Sequence, residues 1–284
     1  MRAGLLQLNA SDDPQANLAP VREAVRRAVA GGAGFVLTPE VTNCLSSSRS
    51  HQQRVLSHEA EDPMLALLRE EAARAGIWLL AGSLVLKTGD ADGRFANRSL
   101  LIDPTGAITA RYDKIHLFDV QVSEAETYRE SAGIRPGEGA VLAATPFAML
   151  GLSVCYDIRF AHLYRALAQA GAQVLCVPAA FSPVTGAAHW EVLLRARAIE
   201  TGCYVLAPAQ TGQHPVREGT TPRRTWGHAM VVAPWGEVLA DAGTEPGVIY
   251  ADLDMAEVAR ARARVPALSH DRPYSAPVSP GGRA

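Results

Sequence analysis

Two periods of apolar residues alternate along the chain, one near 3.6 and one near 2, and that alternation argues for an α/β fold. Helical spacing is clearest after Asp13, where Leu18, Val21, Val25 and Val29 form one stripe. Asp13 suits the cap, Pro14 the first turn and Gly31-Gly32 the stop. Asp62-Pro63 predicts a second helix, with Met64, Leu65, Leu67 and Leu68 inside it and Gly76 at its end. Runs rich in Val, Leu and Ile predict strands at 3–9, 34–38, 77–86, 98–103, 147–154, 173–178, 203–209, 228–233 and 247–252. Asp103-Pro-Thr-Gly106 and Pro234-Trp-Gly236 read as hairpin turns, so part of the sheet is antiparallel.

Gly32-Ala-Gly-Phe-Val-Leu-Thr-Pro39 and Gly171-Ala-Gln-Val-Leu-Cys-Val-Pro178 share one pattern: helix stop, buried strand, then proline. Two such units predict two sheets with helices outside them. With 284 residues, 48% of them apolar, the chain can bury a large core. No linker or charge run divides its middle, so 1–264 reads as one domain. Residues 265–284, with four prolines and few apolar side chains, read as an extended C-terminal arm or tail.

Charge and cysteine content narrow the function classes. A net charge of −2 favours neither nucleic acid nor an anionic membrane as partner. The apolar run near Met1 is too brief for a signal-peptide core, and no stretch approaches the ~18 apolar residues of a spanning helix. Cys44, Cys155, Cys176 and Cys203 show no paired spacing and read as free thiols in a cytoplasmic, reducing compartment. The eight histidines form no metal-binding pattern and no Gly-rich phosphate loop occurs, so neither metal nor cofactor is expected.

Gly151-Leu-Ser-Val-Cys155-Tyr-Asp-Ile-Arg159 carries the sharpest chemical signal. An apolar run ends in Cys155, a polar turn follows, and an amphipathic helix begins near Phe160. Such a strand–turn–helix junction exposes its central side chain beside backbone N–H groups, which can acidify a thiol and bind an oxyanion. Most free cysteines are small buried hydrophobes, so Cys155 needs partners to be a nucleophile. Ser153 lacks the Gly-x-Ser-x-Gly turn and reads as packing; Cys44 has no base in view and reads as structural.

Taken with Leu37-Thr-Pro-Glu40 and Arg111-Tyr-Asp-Lys114-Ile-His-Leu-Phe118, the cysteine segment resembles the nitrilase, or carbon–nitrogen hydrolase, superfamily. The likeness runs from Met1 to about Leu253 and is greatest to the branch of deaminated-glutathione amidases and omega-amidases. Tyr128-Arg-Glu130-Ser131, the segment from Thr185 through His189-Trp190 to Glu200, and Trp226-Gly-His228 support that branch. The resemblance implies a four-layer α-β-β-α sandwich with two mixed sheets, and a homodimer or higher homo-oligomer built through helices. It implies Glu40, Lys114 and Cys155 as the catalytic set, with Glu130 as a supporting second glutamate. Arg159-Phe-Ala-His-Leu163 departs from the family's Arg-Phe-Pro-Glu-Leu, and Gln213–Arg224 is longer and more basic than usual, as expected of a segment bordering the substrate entrance.

An amide is a poor electrophile, and a thioester route divides its hydrolysis into two easier steps. Glu40 would take the thiol proton and deliver it to departing ammonia, while Lys114 and the Tyr156 backbone N–H would hold the oxyanion. The implied substrate is a small linear amide bearing carboxylates, such as deaminated glutathione. His189, Trp190 and Arg195 are candidates for its pocket, and Arg195, Arg197, Arg217 and Arg224 for its carboxylate. Alternatives are an omega-amidase acting on alpha-ketoglutaramate, an N-carbamoyl or aliphatic amide hydrolase, a Cys-His thiol protease, and a catalytically silent binding or scaffold member of the fold.

Overall fold

The computed structural model describes residues 1–122, 127–217 and 222–275. Its strands are β1 (Arg2–Gln7), β2 (Phe35–Leu37), β3 (Trp78–Lys87), β4 (Phe95–Ile102), β5 (Ile108–Asp113), β6 (Asp119–Gln121), β7 (Thr127–Arg129) and β8 (Val141–Ala144). They continue with β9 (Met149–Leu152), β10 (Val174–Cys176), β11 (Tyr204–Ala207), β12 (Thr211–Gln213), β13 (Arg224–Trp226), β14 (Met230–Val232), β15 (Val238–Asp241) and β16 (Gly247–Asp252). The helices are α1 (Pro14–Ala30), α2 (Arg49–Val55), α3 (Pro63–Ala75), α4 (Ala161–Gln169), α5 (Pro183–Thr201) and α6 (Met255–Arg264).

One six-stranded sheet has the order β16-β1-β2-β3-β4-β5 and the other β15-β14-β11-β10-β9-β8. At the centre of each, three strands run parallel: β1, β2 and β3 in one, β9, β10 and β11 in the other. Antiparallel strands flank both trios. The repeated Gly…Pro pattern falls on β2 and β10, the middle strand of each trio. Both hairpin turns lie where expected, joining β4 to β5 and β14 to β15.

Adjacent strand residues point to opposite faces, and here both faces are covered. In β1, Leu5 packs with Leu37, Leu80 and Leu101 against Leu150 and Leu152 of the second sheet. Its neighbour Leu6 packs with Val36 and Leu79 beneath Val21 and Val25 of α1 and Leu65 and Leu68 of α3. On the other side α4 contacts β9, and α5 contacts β11 and β14. The layers therefore run α-β-β-α, and burial on both faces explains why the central strands read as unbroken apolar runs.

Caps act as the sequence predicts. Asp13 accepts from the Gln15 N–H and Asp62 from the Leu65 N–H, and α3 stops at Gly76 in the left-handed region. After α6, a 3-10 turn at Ala267–Ser269 docks on α4, where Arg165 and Gln169 donate to the Ala267 and Leu268 carbonyls. The arm expected at 265–284 thus begins as a packed segment, and its residues 276–284 lie outside the described residues. Among the described residues no helix is long and apolar enough to cross a membrane.

Candidate active site

The ends of β2, β9 and β10 meet, so the segments leaving two separate sheets share one location. Thr38-Pro39-Glu40 follows β2, Ser153-Val154-Cys155 follows β9, and Ala179-Ala180 comes after β10 and Pro178. The Cys155 N–H donates to the Pro178 carbonyl at 2.9 Å. Ala180 N–H donates to Glu40 Oε2 at 2.8 Å, and Gln210 Nε2 to the Glu40 carbonyl at 3.0 Å. Cys155 has φ +49° and Val41, next to Glu40, φ +51°. Both are non-glycine residues held in the left-handed region, a strain that persists only where surrounding bonds impose it.

Lys114 immediately follows β5, and Glu130 opens a 3-10 turn after β7. Lys114 Nζ lies 2.9 Å from Glu40 Oε1, and 3.0 and 2.9 Å from Glu130 Oε1 and Oε2. Asn97 of β4 bridges the two acids, its Nδ2 2.9 Å from Glu40 Oε1 and 3.4 Å from Glu130 Oε1. Phe118 N–H completes the hold on Glu130 Oε2 at 2.7 Å. The Cys155 thiol stands beside the Glu40 carboxylate, close enough for each to shift the other's protonation. Glu40, Lys114 and Cys155 are 4%, 2% and 8% exposed, so these interactions are largely shielded from water.

Such a set has a definite resting protonation. Burial pushes the Glu40 carboxyl up, but Lys114's charge and hydrogen bond, with the neighbouring Cys155 thiol, outweigh it and hold Glu40 below the usual carboxylate range. Burial pulls the Lys114 ammonium down, yet Glu130 and Glu40 raise it above its ordinary value. Burial and then the Glu40 carboxylate drive the Cys155 thiol well above its ordinary value, against Lys114. The thiol acidification expected at the turn is therefore reversed. At rest the site holds thiol, carboxylate and ammonium, an arrangement suited to general-base activation of sulfur rather than to a standing thiolate.

Residues 2–263 match the family model described as carbon-nitrogen hydrolase. The chain belongs to that family. A deaminated glutathione amidase of Yersinia enterocolitica is 39% identical over 94% of this chain and 92% of its own length. The omega-amidase NIT2 of Homo sapiens is 36% identical over 95% of each chain. The NitFhit protein of C. elegans superposes with a TM-score of 0.87 at 35% identity, covering 95% of this chain and 65% of that one. An amidase mutant from Nesterenkonia sp. AN1, whose active-site cysteine had added acrylamide, gives 0.74 at 30% identity over 93% of this chain and 98% of that one. This hydrolase acts on amide carbon–nitrogen bonds.

A cavity of about 420 Å³ opens over the hydrolase's cysteine, lined by Glu40, Lys114, Glu130, Cys155 and Tyr156 among others. Tyr156 belongs to a 3-10 turn, Cys155–Arg159, which precedes the expected helix and leaves its N–H in the first turn beside the sulfur. Asp157 braces this turn from behind, accepting from Val154 N–H, Tyr112 O–H and His116 N–H. Ser153 bonds Tyr164 and the Cys176 carbonyl, as packing requires.

His189, Trp190 and Arg195 do not line the cavity, which corrects the expectation for all three. Trp190 is buried against Phe181 with Nε1 donating to the His228 carbonyl; His189 is exposed beside Arg159; Arg195 donates to the Gly236 carbonyl. The family likeness marked their segment, but the turn of α5 decides which face meets the site. Nor do Arg197, Arg217 and Arg224 line it; among the described residues its arginines are Arg49, Arg129 and Arg223. Arg223 comes from the 213–224 segment, of which 218–221 lie outside the described residues. Asn97 stands one residue before the strand predicted at 98–103 but inside the observed β4, and a polar Asn before an apolar run is its only signal in the sequence.

Proposed function

We propose that this hydrolase cleaves a small linear carboxylate-bearing amide, with deaminated glutathione as the leading substrate, through a thioester on Cys155. The observation that carries the reading is the buried Glu40–Lys114 pair, which shares one cavity with the Cys155 thiol. Glu40 takes the thiol proton as sulfur bonds the carbonyl carbon, and the oxyanion forms toward the Tyr156 N–H. Lys114 already faces three carboxylate oxygens, so it adds charge, and a direct bond only if one Glu130 oxygen gives way. Collapse breaks the carbon–nitrogen bond as Glu40 returns the proton to nitrogen. Water, deprotonated by Glu40, then cleaves the thioester and the thiol is restored. A primary amide releases ammonia; a secondary amide such as deaminated glutathione releases an amine.

Relatives named deaminated glutathione amidase, 39% and 41% identical, favour that substrate, as does a cavity roomier than a five-carbon amide requires. The omega-amidase reading, on alpha-ketoglutaramate, rests on the 36% identical relative. Purified protein given each compound separates them, with amine and ammonia release as the two readouts and Cys155→Ala as control. Equal release by wild type and Cys155→Ala would overturn the thioester reading.

A homodimer belongs to the same proposal. Val192 and Ile199 on α5, with Trp235 and Leu239, are exposed apolar side chains of the kind a helix-mediated interface covers. Light scattering should give twice the 30.2 kDa chain mass, and Val192→Glu with Ile199→Glu should shift it to monomer. Four free thiols fit a cytoplasmic location.

A further inference from the structure

Arg223 differs from the other arginines that line the cavity, of which Arg129 is exposed and Arg49 is already engaged. Its Nη2 donates to the Ala180 carbonyl at 2.7 Å, and its guanidinium lies 5.5 Å from the centroid of the Tyr128 ring. Its Nε is buried and has no acceptor among the described residues. Arg49, by contrast, already donates from both terminal nitrogens to the carbonyls of Ala132 and Asp92. A buried guanidinium donor without an acceptor is costly, and a planar carboxylate is the group that its fork fits.

Ala180 fixes where that donor stands. Its N–H holds Glu40 Oε2 while its carbonyl holds Arg223, so a single residue separates base from guanidinium. The Arg223 charge is close enough to act on Glu40. We propose that Arg223 is the specificity-determining residue, binding a carboxylate at the far end of the substrate's acyl chain a few bonds from the reacting carbon. The proposal rests on the amidase reading of the same site and names the group that selects acidic over neutral amides. The Tyr128 ring and the Ala180 carbonyl hold the guanidinium on two sides, so the fork is oriented before substrate arrives.

Glutaramate and pentanamide test it, because they differ only by a carboxylate in place of a methyl group. Arg223→Gln should lower kcat/KM for glutaramate at least tenfold, chiefly through KM, and Arg223→Lys should recover part of that loss. The glutaramate-to-pentanamide ratio should fall toward unity. An unchanged ratio overturns the proposal. So does an equal loss on both amides with the acid limb of the pH profile moved upward, since Arg223 would then act through Glu40. Calorimetric titration of glutarate into Cys155→Ala, with and without Arg223→Gln, reads binding alone after thermal melts confirm folding. Glutarate binding that survives Arg223→Gln contradicts the proposal. Wild-type protein that hydrolyses neither amide refutes the functional reading, while the glutarate titration still tests Arg223.

Discussion

Glu40 shows how three modest influences set one protonation state. Burial favours the neutral acid, while Lys114 and the thiol favour the carboxylate and win. The sign follows directly: a depressed carboxyl keeps its base form above the ordinary carboxylate range and loses it only as pH falls through the lowered value. Cys155 and Lys114 are raised, so neither changes state on the alkaline side until well past neutrality. A profile of kcat/KM should therefore be flat from about pH 5 to about pH 9, the ordinary Glu and Cys values being ~4.3 and ~8.5. A bell centred near neutrality would contradict this assignment. Glu40→Gln should lower kcat/KM by about 10³-fold, within the usual range for losing a general acid–base group. Asn97→Ala removes a donor from Glu40 Oε1, so the acid limb should move upward; chemical unfolding should show a loss of about 1–3 kcal/mol.

Two glycines fix how the elements present these residues. A Cβ on Gly82 of β3 would lie 1.8 Å from the Thr38 carbonyl oxygen and 2.7 Å from that of Pro39, directly before Glu40. A Cβ on Gly137 would lie 2.0 Å from the Asp113 carbonyl oxygen, directly before Lys114. Gly82→Ala must push the Glu40 segment aside, and the expected result is a loss of at least about 2 kcal/mol in urea unfolding with a disproportionate fall in kcat. Full kcat in Gly82→Ala would show that the close approach does not position the base. Legibility follows the same physics. Doubly buried β1, β2, β3, β10 and β11 announce themselves as apolar runs, and Asp13 and Asp62 mark helix starts. Edge strands stand out less: β5 mixes polar with apolar residues, and β15 is only four residues long with its Val238 and Leu239 exposed. Helix α2, Arg-Ser-His-Gln-Gln-Arg-Val, has a single large apolar side chain and was invisible. Cys155 is marked by its strand–turn–helix junction and then by family likeness, Glu40 and Lys114 by likeness alone; Asn97 and Arg223 act through contacts between segments far apart in the chain.

At the scale of the molecule, the site exists because two sheets face each other and their strand ends converge. His214 ties that convergence together: its Nδ1 donates to the Ala10 carbonyl beyond β1, and its Nε2 accepts from the Thr225 hydroxyl of β13. Burial pulls its pKa from 6.5 to about 4, so the unfolded chain takes up the proton first. The stability this neutral ring supplies is present above pH 6.5 and lost as pH falls through 4, amounting to about 3 kcal/mol. Urea unfolding of wild type and His214→Gln at pH 7 and 4.5 should converge at the lower pH; a gap independent of pH would contradict the assignment.

The most direct test of the central claim is to find the acyl group. A nitrophenyl ester of glutarate needs no proton on its leaving group, so acylation should outrun hydrolysis and the intermediate should accumulate. Acid quenching during turnover, followed by intact-mass measurement and peptide mapping, should show one glutaryl group on Cys155. Turnover with the acyl group on Cys44, Cys176 or Cys203, or undiminished turnover in Cys155→Ala, would contradict the account.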